Sequence, residues 1–355
     1  MAIELNRLSA LDIARALEAG TATAERVVEA CLARIAAREP VVRAWTQLDR
    51  DGAIIAARRL DQRPRAGLLH GVPIGVKDII DTADLATGYG SPIYQNHHPA
   101  ADGATVALPR AAGAILLGKT VTTEFASRHP GPTTHPENPA HTPGGSSSGS
   151  AAAVADFMVP LATGTQTGGS VIRPASYCGV YGYKPSYGQF MTFGVKPNTE
   201  AFDTVGVMAR SVADIALARA ALLAMPFDGV PEGATAPRIG LCRTPFWDRA
   251  SQESHQAVED AATQLSRAGA TVVDLALPAT FAALLTSHKV IGGFESVRNH
   301  ADELRRHREL LSVGLRDRID EGRKLDLAAF HAARREAERG RAAFDDAMGD
   351  CDILL

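Results

Sequence analysis

Two clusters of glycine and serine carry residue types that could do chemistry: Gly144-Gly145-Ser146-Ser147-Ser148-Gly149-Ser150 and, farther on, Thr165-Gln166-Thr167-Gly168-Gly169-Ser170. Glycine tolerates positive φ and leaves backbone amides uncovered, and a serine hydroxyl can serve as nucleophile, relay or hydrogen-bond donor. Either cluster alone could equally be a linker or a tight turn. No GxxxxGK[ST] phosphate loop occurs and no GxGxxG follows a strand. Neither Ser146 nor Ser170 sits in the GxSxG elbow of a Ser-His-Asp hydrolase. A serine nucleophile here needs another base, and Lys77 is the candidate. It directly follows the apolar run Gly71–Val76, and a lysine held in a low-dielectric site has a depressed pKa and can act as a neutral base. The competing reading is a surface lysine or one paired with Asp78.

The elements that must position these residues alternate between strand and helix, which predicts an α/β fold. A first helix is capped by Ser9 with Asp12 three residues on and ends at Gly20. A second starts near Thr21 or Thr23 and stops before Pro40. Strands are predicted over 41–48, 71–76, 114–117, 159–162, 238–242 and 271–275, and helices over 51–60, 105–112, 150–157 and 254–268. The segment 281–348 reads as helical. Between Arg128 and Gly149 the composition shifts to Pro, His, Thr, Gly and Ser, predicting a long functional loop.

Composition bounds the function class. The 355 residues are 45% apolar and 22% charged with a formal charge of −3, enough apolar material for a sizeable core and no field that favours nucleic acid or an anionic membrane. Cys31, Cys178, Cys242 and Cys351 are scattered without CxxC spacing, which fits a reducing cytoplasm. No window approaches a membrane-spanning length of about 18 apolar residues, and the N-terminus lacks a signal-peptide core. His97, His98, His129, His135 and His141 crowd the loops without metal-ligand spacing, so no metal is expected. Interspersed charges over 298–341 read as a solvated face that could contribute to a homodimer. The chain stops on Asp352-Ile353-Leu354-Leu355, an apolar run that reads as a buried strand.

The segments GVPIGVKDIIDT, GGSSSGSAAAV, TGTQTGGSVIRPASYCGV and YGYKPSYG together resemble the amidase signature family of amide hydrolases, in its malonamidase-like branch. The resemblance is strongest between Gly71 and Gly188. It implies a single large α/β domain over 1–355, with a central mixed, mostly parallel β-sheet flanked by helices. Within it lie N-terminal helices (1–65), a catalytic core (66–220) and a helical and strand region on the substrate side (221–355). Family members continue past the position of Leu355, so the domain is expected to be C-terminally truncated, with an open sheet edge.

By the same resemblance Ser170 is the nucleophile, Ser146 a relay serine preceded by a cis peptide, and Lys77 the base. Ser146 and Ser170 stand 24 positions apart, as in the family. Ser147, Ser148 and Ser150 become supporting or helix-capping residues. The backbone amides of Thr167, Gly168, Gly169 and Ser170 are the implied oxyanion donors. Arg173, at the third position after Ser170, is the implied clamp for a substrate carboxylate; the alternative is a structural arginine tying loop carbonyls together. Cys178 is expected to pack behind the nucleophile turn, and Glu124 to be a local hydrogen-bond acceptor. The implied activity is hydrolysis of a small, carboxylated linear amide through an acyl-enzyme, with no cofactor. The rival within the family is the catalytic subunit of a glutamine-dependent tRNA amidotransferase, which needs partner subunits. Gln166, where that subunit has Asp, and the position of Arg173 count against it. An inactive truncated member is the third reading.

Overall fold

Six strands form the sheet that carries the sequence motifs: β1 (Trp45–Leu48), β2 (Pro73–Lys77), β3 (Ile115–Thr120), β4 (Leu161–Gln166), β5 (Tyr181–Tyr183) and β6 (Thr204–Ala209). The computed structural model describes residues 4–230 and 236–355. The strand order is β1-β3-β2-β4-β6-β5. β2 runs parallel to both β3 and β4, and the antiparallel pairs β1–β3, β4–β6 and β5–β6 lie outside this centre. Four of the six strands therefore point the same way, the mixed, mostly parallel sheet expected. Every residue of β2, β3, β4 and β6 is buried. Strands covered on both faces read as continuous apolar runs, which made β2, β3 and the start of β4 legible without alternation, whereas β6, interrupted by Gly206, was not predicted.

Helices α1 (Ala10–Glu18), α2 (Ala24–Val42), α3 (Arg50–Asp61), α4 (Ala104–Ala111), α5 (Ser148–Ala155), α6 (Ile172–Tyr177) and α7 (Val212–Leu222) accompany this sheet. The Ser9 hydroxyl caps α1 by accepting from the Asp12 amide. α2 corrects the expected stop before Pro40. It runs through the proline to Val42 and ends at Arg43 with φ 53°. Pro40 falls in the last turn, where its missing N–H removes one intrahelical bond and the helix ends two residues later. The Glu39 carboxylate then accepts from the amides of Ala44 and Trp45, turning the chain into β1. The strand expected from Val41 accordingly begins only at Trp45.

α5 is buried along nearly its whole length. Ala151, Ala152, Ala153 and Val154 are fully buried beside Ile35, Leu117, Met158 and Met208. Its far end is clamped by Asp156, whose carboxylate accepts from Arg38 Nε at 2.8 Å and is also bonded by Arg34.

Two compact units emerge. The first comprises Met1–Val230 with Asn299–Asp317, and the second Pro231–Arg298 with Arg318–Leu355. The second contains β7 (Arg238–Cys242), β8 (Thr271–Leu275) and β9 (Ile353–Leu354), all parallel in the order β8-β7-β9, and helix α8 (Gln252–Arg267). The final apolar run is thus a strand, but an edge strand, with Ile353 49% exposed. In the same unit, α9 (Leu284–Asn299) meets the later helix over 327–342 through stacked Phe294 and Phe330 rings, 4.3 Å between centroids. Among the described residues no helix is long and apolar enough to cross a membrane.

Candidate active site

Lys77 is the last residue of β2, and Thr165 and Gln166 close the neighbouring parallel strand β4. The ends of adjacent parallel strands open onto the same rim of a sheet, where α/β proteins place their chemistry. The loop that leads into α5 brings Ser146 to this rim. Its tight path is set by Gly144, at φ +76°, and by Gly149, where a Cβ would lie 2.2 Å from the Ala44 carbonyl and 2.4 Å from the Val121 amide nitrogen. The Gly145–Ser146 peptide is cis. Ser147 and Ser150 are buried struts rather than side-chain caps. Ser147 Oγ accepts from the Thr165 amide at 3.2 Å, and Ser150 Oγ donates to the Thr163 carbonyl at 2.8 Å. Ser148 Oγ donates weakly to Val121 O at 3.4 Å.

Lys77 is fully buried, and its Nζ lies 2.7 Å from Ser146 Oγ, 2.8 Å from Thr165 Oγ1 and 3.4 Å from the Thr165 carbonyl. Burial holds its pKa well below the usual lysine value, with Asp203 the charge that opposes the shift. A neutral amine has two N–H bonds and one lone pair. Thr165 offers two acceptors for the former and the Ser146 hydroxyl can donate to the latter. The Asp78 pairing weighed from sequence goes to a different lysine, Lys119, whose Nζ is 3.3 Å from Asp78 Oδ1.

Ser170 follows β4 in a turn ahead of α6 and is buried. Its carbonyl accepts from the Ser147 amide at 3.3 Å, while its hydroxyl makes no hydrogen bond among the described residues. The turn itself is organised by Gln166. Its Oε1 accepts from the amides of Val171 (2.9 Å) and Ile172 (3.1 Å), and its Nε2 donates to the Gly168 carbonyl at 3.1 Å. The amides of Gly168, Gly169 and Ser170 are left without an acceptor among the described residues. The amide of Thr167, the remaining predicted donor, is likewise without an acceptor among the described residues, and its hydroxyl donates to Asp203 Oδ1 at 2.5 Å.

Arg173 is exposed and bonds the loop. Its Nε and Nη2 both donate to the Gly145 carbonyl, at 3.0 and 2.7 Å. The carbonyl-tying role weighed against carboxylate binding is therefore present in the geometry. It occupies only one edge of the guanidinium; the Nη1/Nη2 edge makes no hydrogen bond among the described residues.

The family model for amidases matches residues 26–355. The chain belongs to the amidase family. It is 38% identical over 322 residues to a glutamyl-tRNA(Gln) amidotransferase subunit from Chloroflexus aurantiacus, covering 84% of this chain and 66% of that protein. The corresponding protein of Myxococcus xanthus is 38% identical over 313 residues, covering 81% and 64% respectively. The chain thus spans about two thirds of the length of these curated relatives. Among solved structures, the native peptide amidase from Stenotrophomonas maltophilia superposes with a TM-score of 0.79 at 30% identity, over 94% of this chain and 79% of that one. A structure described as an amidase gives 0.89 at 29% identity, over 98% and 81%.

Membership in this family does not by itself distinguish the malonamidase-like branch from the amidotransferase subunits. Two residues of the site escaped the motif reading. Thr165 lies within a quoted segment, yet nothing marked its side chain as a partner of Lys77. Asp203 lies outside all four segments. Cys178 packs against the core as a partly buried residue, as expected, and one reading changed in detail. Glu124 is an acceptor but not a local one, since it takes the amide and hydroxyl of Ser312, 188 residues away.

Proposed function

We propose that this amidase-family chain hydrolyses the C–N bond of a small linear amide bearing a carboxylate, through an acyl-enzyme on Ser170 and release of ammonia. The observation that carries the reading is the fully buried Lys77 amine, held below its ordinary pKa and 2.7 Å from the Ser146 hydroxyl. Neutral Lys77 takes the Ser146 proton while Ser146 takes the proton of Ser170, whose oxygen attacks the amide carbon. The unpaired amides of Gly168, Gly169 and Ser170 receive the developing oxyanion; losing one such donor typically costs about 2.7–4 kcal/mol of transition-state stabilisation. The relay in reverse protonates the departing ammonia, and water then cleaves the ester. The free edge of Arg173 can fork onto a substrate carboxylate while the other edge holds Gly145.

A second reading is favoured by the curated relatives: the ammonia-releasing subunit of a glutamine-dependent tRNA amidotransferase, working with partner subunits. Gln166 bears on this choice, because an Asp at that position could accept from Val171 and Ile172 but could not donate to the Gly168 carbonyl. The test is ammonia release by the purified chain, with no partner added, from malonamate-like amides, neutral short amides and glutamine. Turnover of the carboxylated short amide, abolished in a folded Ser170→Ala protein, is the expected result. No release by the chain alone, with glutamine turned over once partner subunits are supplied in a second arm, selects the second reading. Undiminished turnover in Ser170→Ala removes the serine assignment from both.

A further inference from the structure

Asp203 stands just ahead of β6, and the antiparallel register that sets Gln166 opposite Thr204 brings it beside Thr167. Its carboxylate is fully engaged. Oδ1 accepts from the Thr167 hydroxyl at 2.5 Å, and Oδ2 accepts from the amides of Asn198 (2.7 Å) and Thr199 (2.9 Å). The buried Asn198 side chain adds a donor, Nδ2 to Thr167 Oγ1 at 3.3 Å. The Thr167 hydroxyl therefore both gives and receives a hydrogen bond, from groups outside the turn it belongs to. Gln166 grips that turn from within, through Gly168, Val171 and Ile172. Between the two grips lie the three unpaired amides. Gly168, exposed and with no atom within 4 Å of where a Cβ would stand, has no packing of its own to fix it.

We propose that Asp203 is a positioning residue of this site, holding the Thr167 hydroxyl so that the amides of Gly168, Gly169 and Ser170 keep a fixed arrangement. The inference rests on the reading of Ser170 and Lys77 given above. Catalytic groups need support of this kind, because a displacement of about 1 Å can cost on the order of 100-fold in rate. The carboxylate also acts through space. Burial pushes the Asp203 carboxyl up, against its three hydrogen bonds and the nearby Lys77. Lys77, in turn, has Asp203 as the charge opposing its own desolvation. An ammonium formed on Lys77 during attack thus meets a carboxylate already in place.

Two substitutions separate this role from a plain loop anchor. Thr167→Val keeps the shape and leaves the carboxylate on its two backbone amides. It should lower kcat by about 10- to 100-fold with KM little changed, and Thr167→Ser should restore most of the loss. Hydrogen exchange over residues 166–172 of the full chain should accelerate in Thr167→Val and not in Thr167→Ser, whether or not the chain turns over a chosen amide. Asp203→Asn can still accept from the two amides through its oxygen and donate to Thr167 Oγ1 through its nitrogen, but carries no charge. The acid limb of its kcat/KM profile should move to lower pH, because Lys77 loses the charge that favours its proton. Unchanged exchange and unchanged kcat in Thr167→Val overturn the proposal. If that variant does not fold, an unmoved acid limb in Asp203→Asn does so. Failure of the serine assignment appears elsewhere, as undiminished turnover in Ser170→Ala, and leaves the exchange result to decide on Asp203.

Discussion

The first unit buries two lysines on neighbouring strands, and the regions around them are built differently. Lys77 ends β2 and Lys119 lies one residue before the end of β3, with Val76 paired to Lys119 and Lys77 to Thr120. Both are fully buried, and desolvation lowers the pKa of each. Lys119 Nζ donates to the Ile80 carbonyl (2.7 Å) and Thr87 Oγ1 (2.6 Å) and forms an ion pair with Asp78 at 3.3 Å. Lys77 meets two hydroxyls and a carbonyl, and no carboxylate within ion-pair distance among the described residues. Burial alone does not make a base. What differs is whether the third partner is a carboxylate, which keeps the proton on the amine, or a serine hydroxyl, which can deliver one.

Lys77→Met gives the largest effect this comparison predicts. Amide hydrolysis should fall by at least about 1,000-fold, as when other serine hydrolases lose the base of their relay, while the melting temperature holds or rises. The sign of the stability effect follows from linkage. Folded Lys77 binds its proton less tightly than the unfolded chain does, so between its folded pKa and 10.5 the unfolded state carries more protons and stability rises with pH. Lys77→Met should flatten that rise in urea melts taken across the range. Its activity counterpart is an acid limb in kcat/KM well below 10.5. A variant with wild-type turnover would place the base elsewhere.

How far these regions could be read in advance depended on whether their signals are local. The strands β7 and β8 fell where the apolar runs placed them, and the Ser9 cap of α1 was visible in four residues. Helix α2 passed through Pro40 for only two further residues, so the proline marks the end of the helix without setting its last residue. Lys77 and the two serines were legible because their motifs occur in register along the chain. Lys119 was not: it comes after the apolar residues Ile115, Leu116 and Leu117 with Gly118 between, and its partner Asp78 arrives through parallel strand pairing. Asp203 was hidden for the same reason, since only the β4–β6 register sets it beside Thr167.

Lys119→Met attacks the other half of the comparison. It strands Asp78, a buried carboxyl already pushed up to about 6 by desolvation despite Lys119 and its bond from the Gly88 amide. Removing one member of a buried pair typically costs about 3–5 kcal/mol, to be read from chemical denaturation. The loss should shrink at acidic pH, where Asp78 can take up a proton, and should be partly recovered in Lys119→Met/Asp78→Asn. Any activity lost should follow from stability, and so return at lower temperature. A Lys119→Met protein of wild-type stability but without turnover would reverse the assignment of the two lysines.

Thr165→Val makes the smallest change and tests the hydroxyl environment itself. It removes the 2.8 Å acceptor on Lys77 Nζ but leaves the Thr165 carbonyl at 3.4 Å and Ser146 Oγ at 2.7 Å. With one N–H no longer held, the amine can turn its lone pair away from Ser146. The loss of one such hydrogen bond, about 1–1.5 kcal/mol, corresponds to roughly a tenfold drop in kcat. Global stability should move little, because no carboxylate is left behind. The apparent pKa of the acid limb should not rise, since Thr165 stabilises an ammonium as well as an amine and its loss cannot favour the proton. An acid limb displaced upward in Thr165→Val would mean that Lys77 rests as an ammonium held by another group, and the contrast with Lys119 would fail.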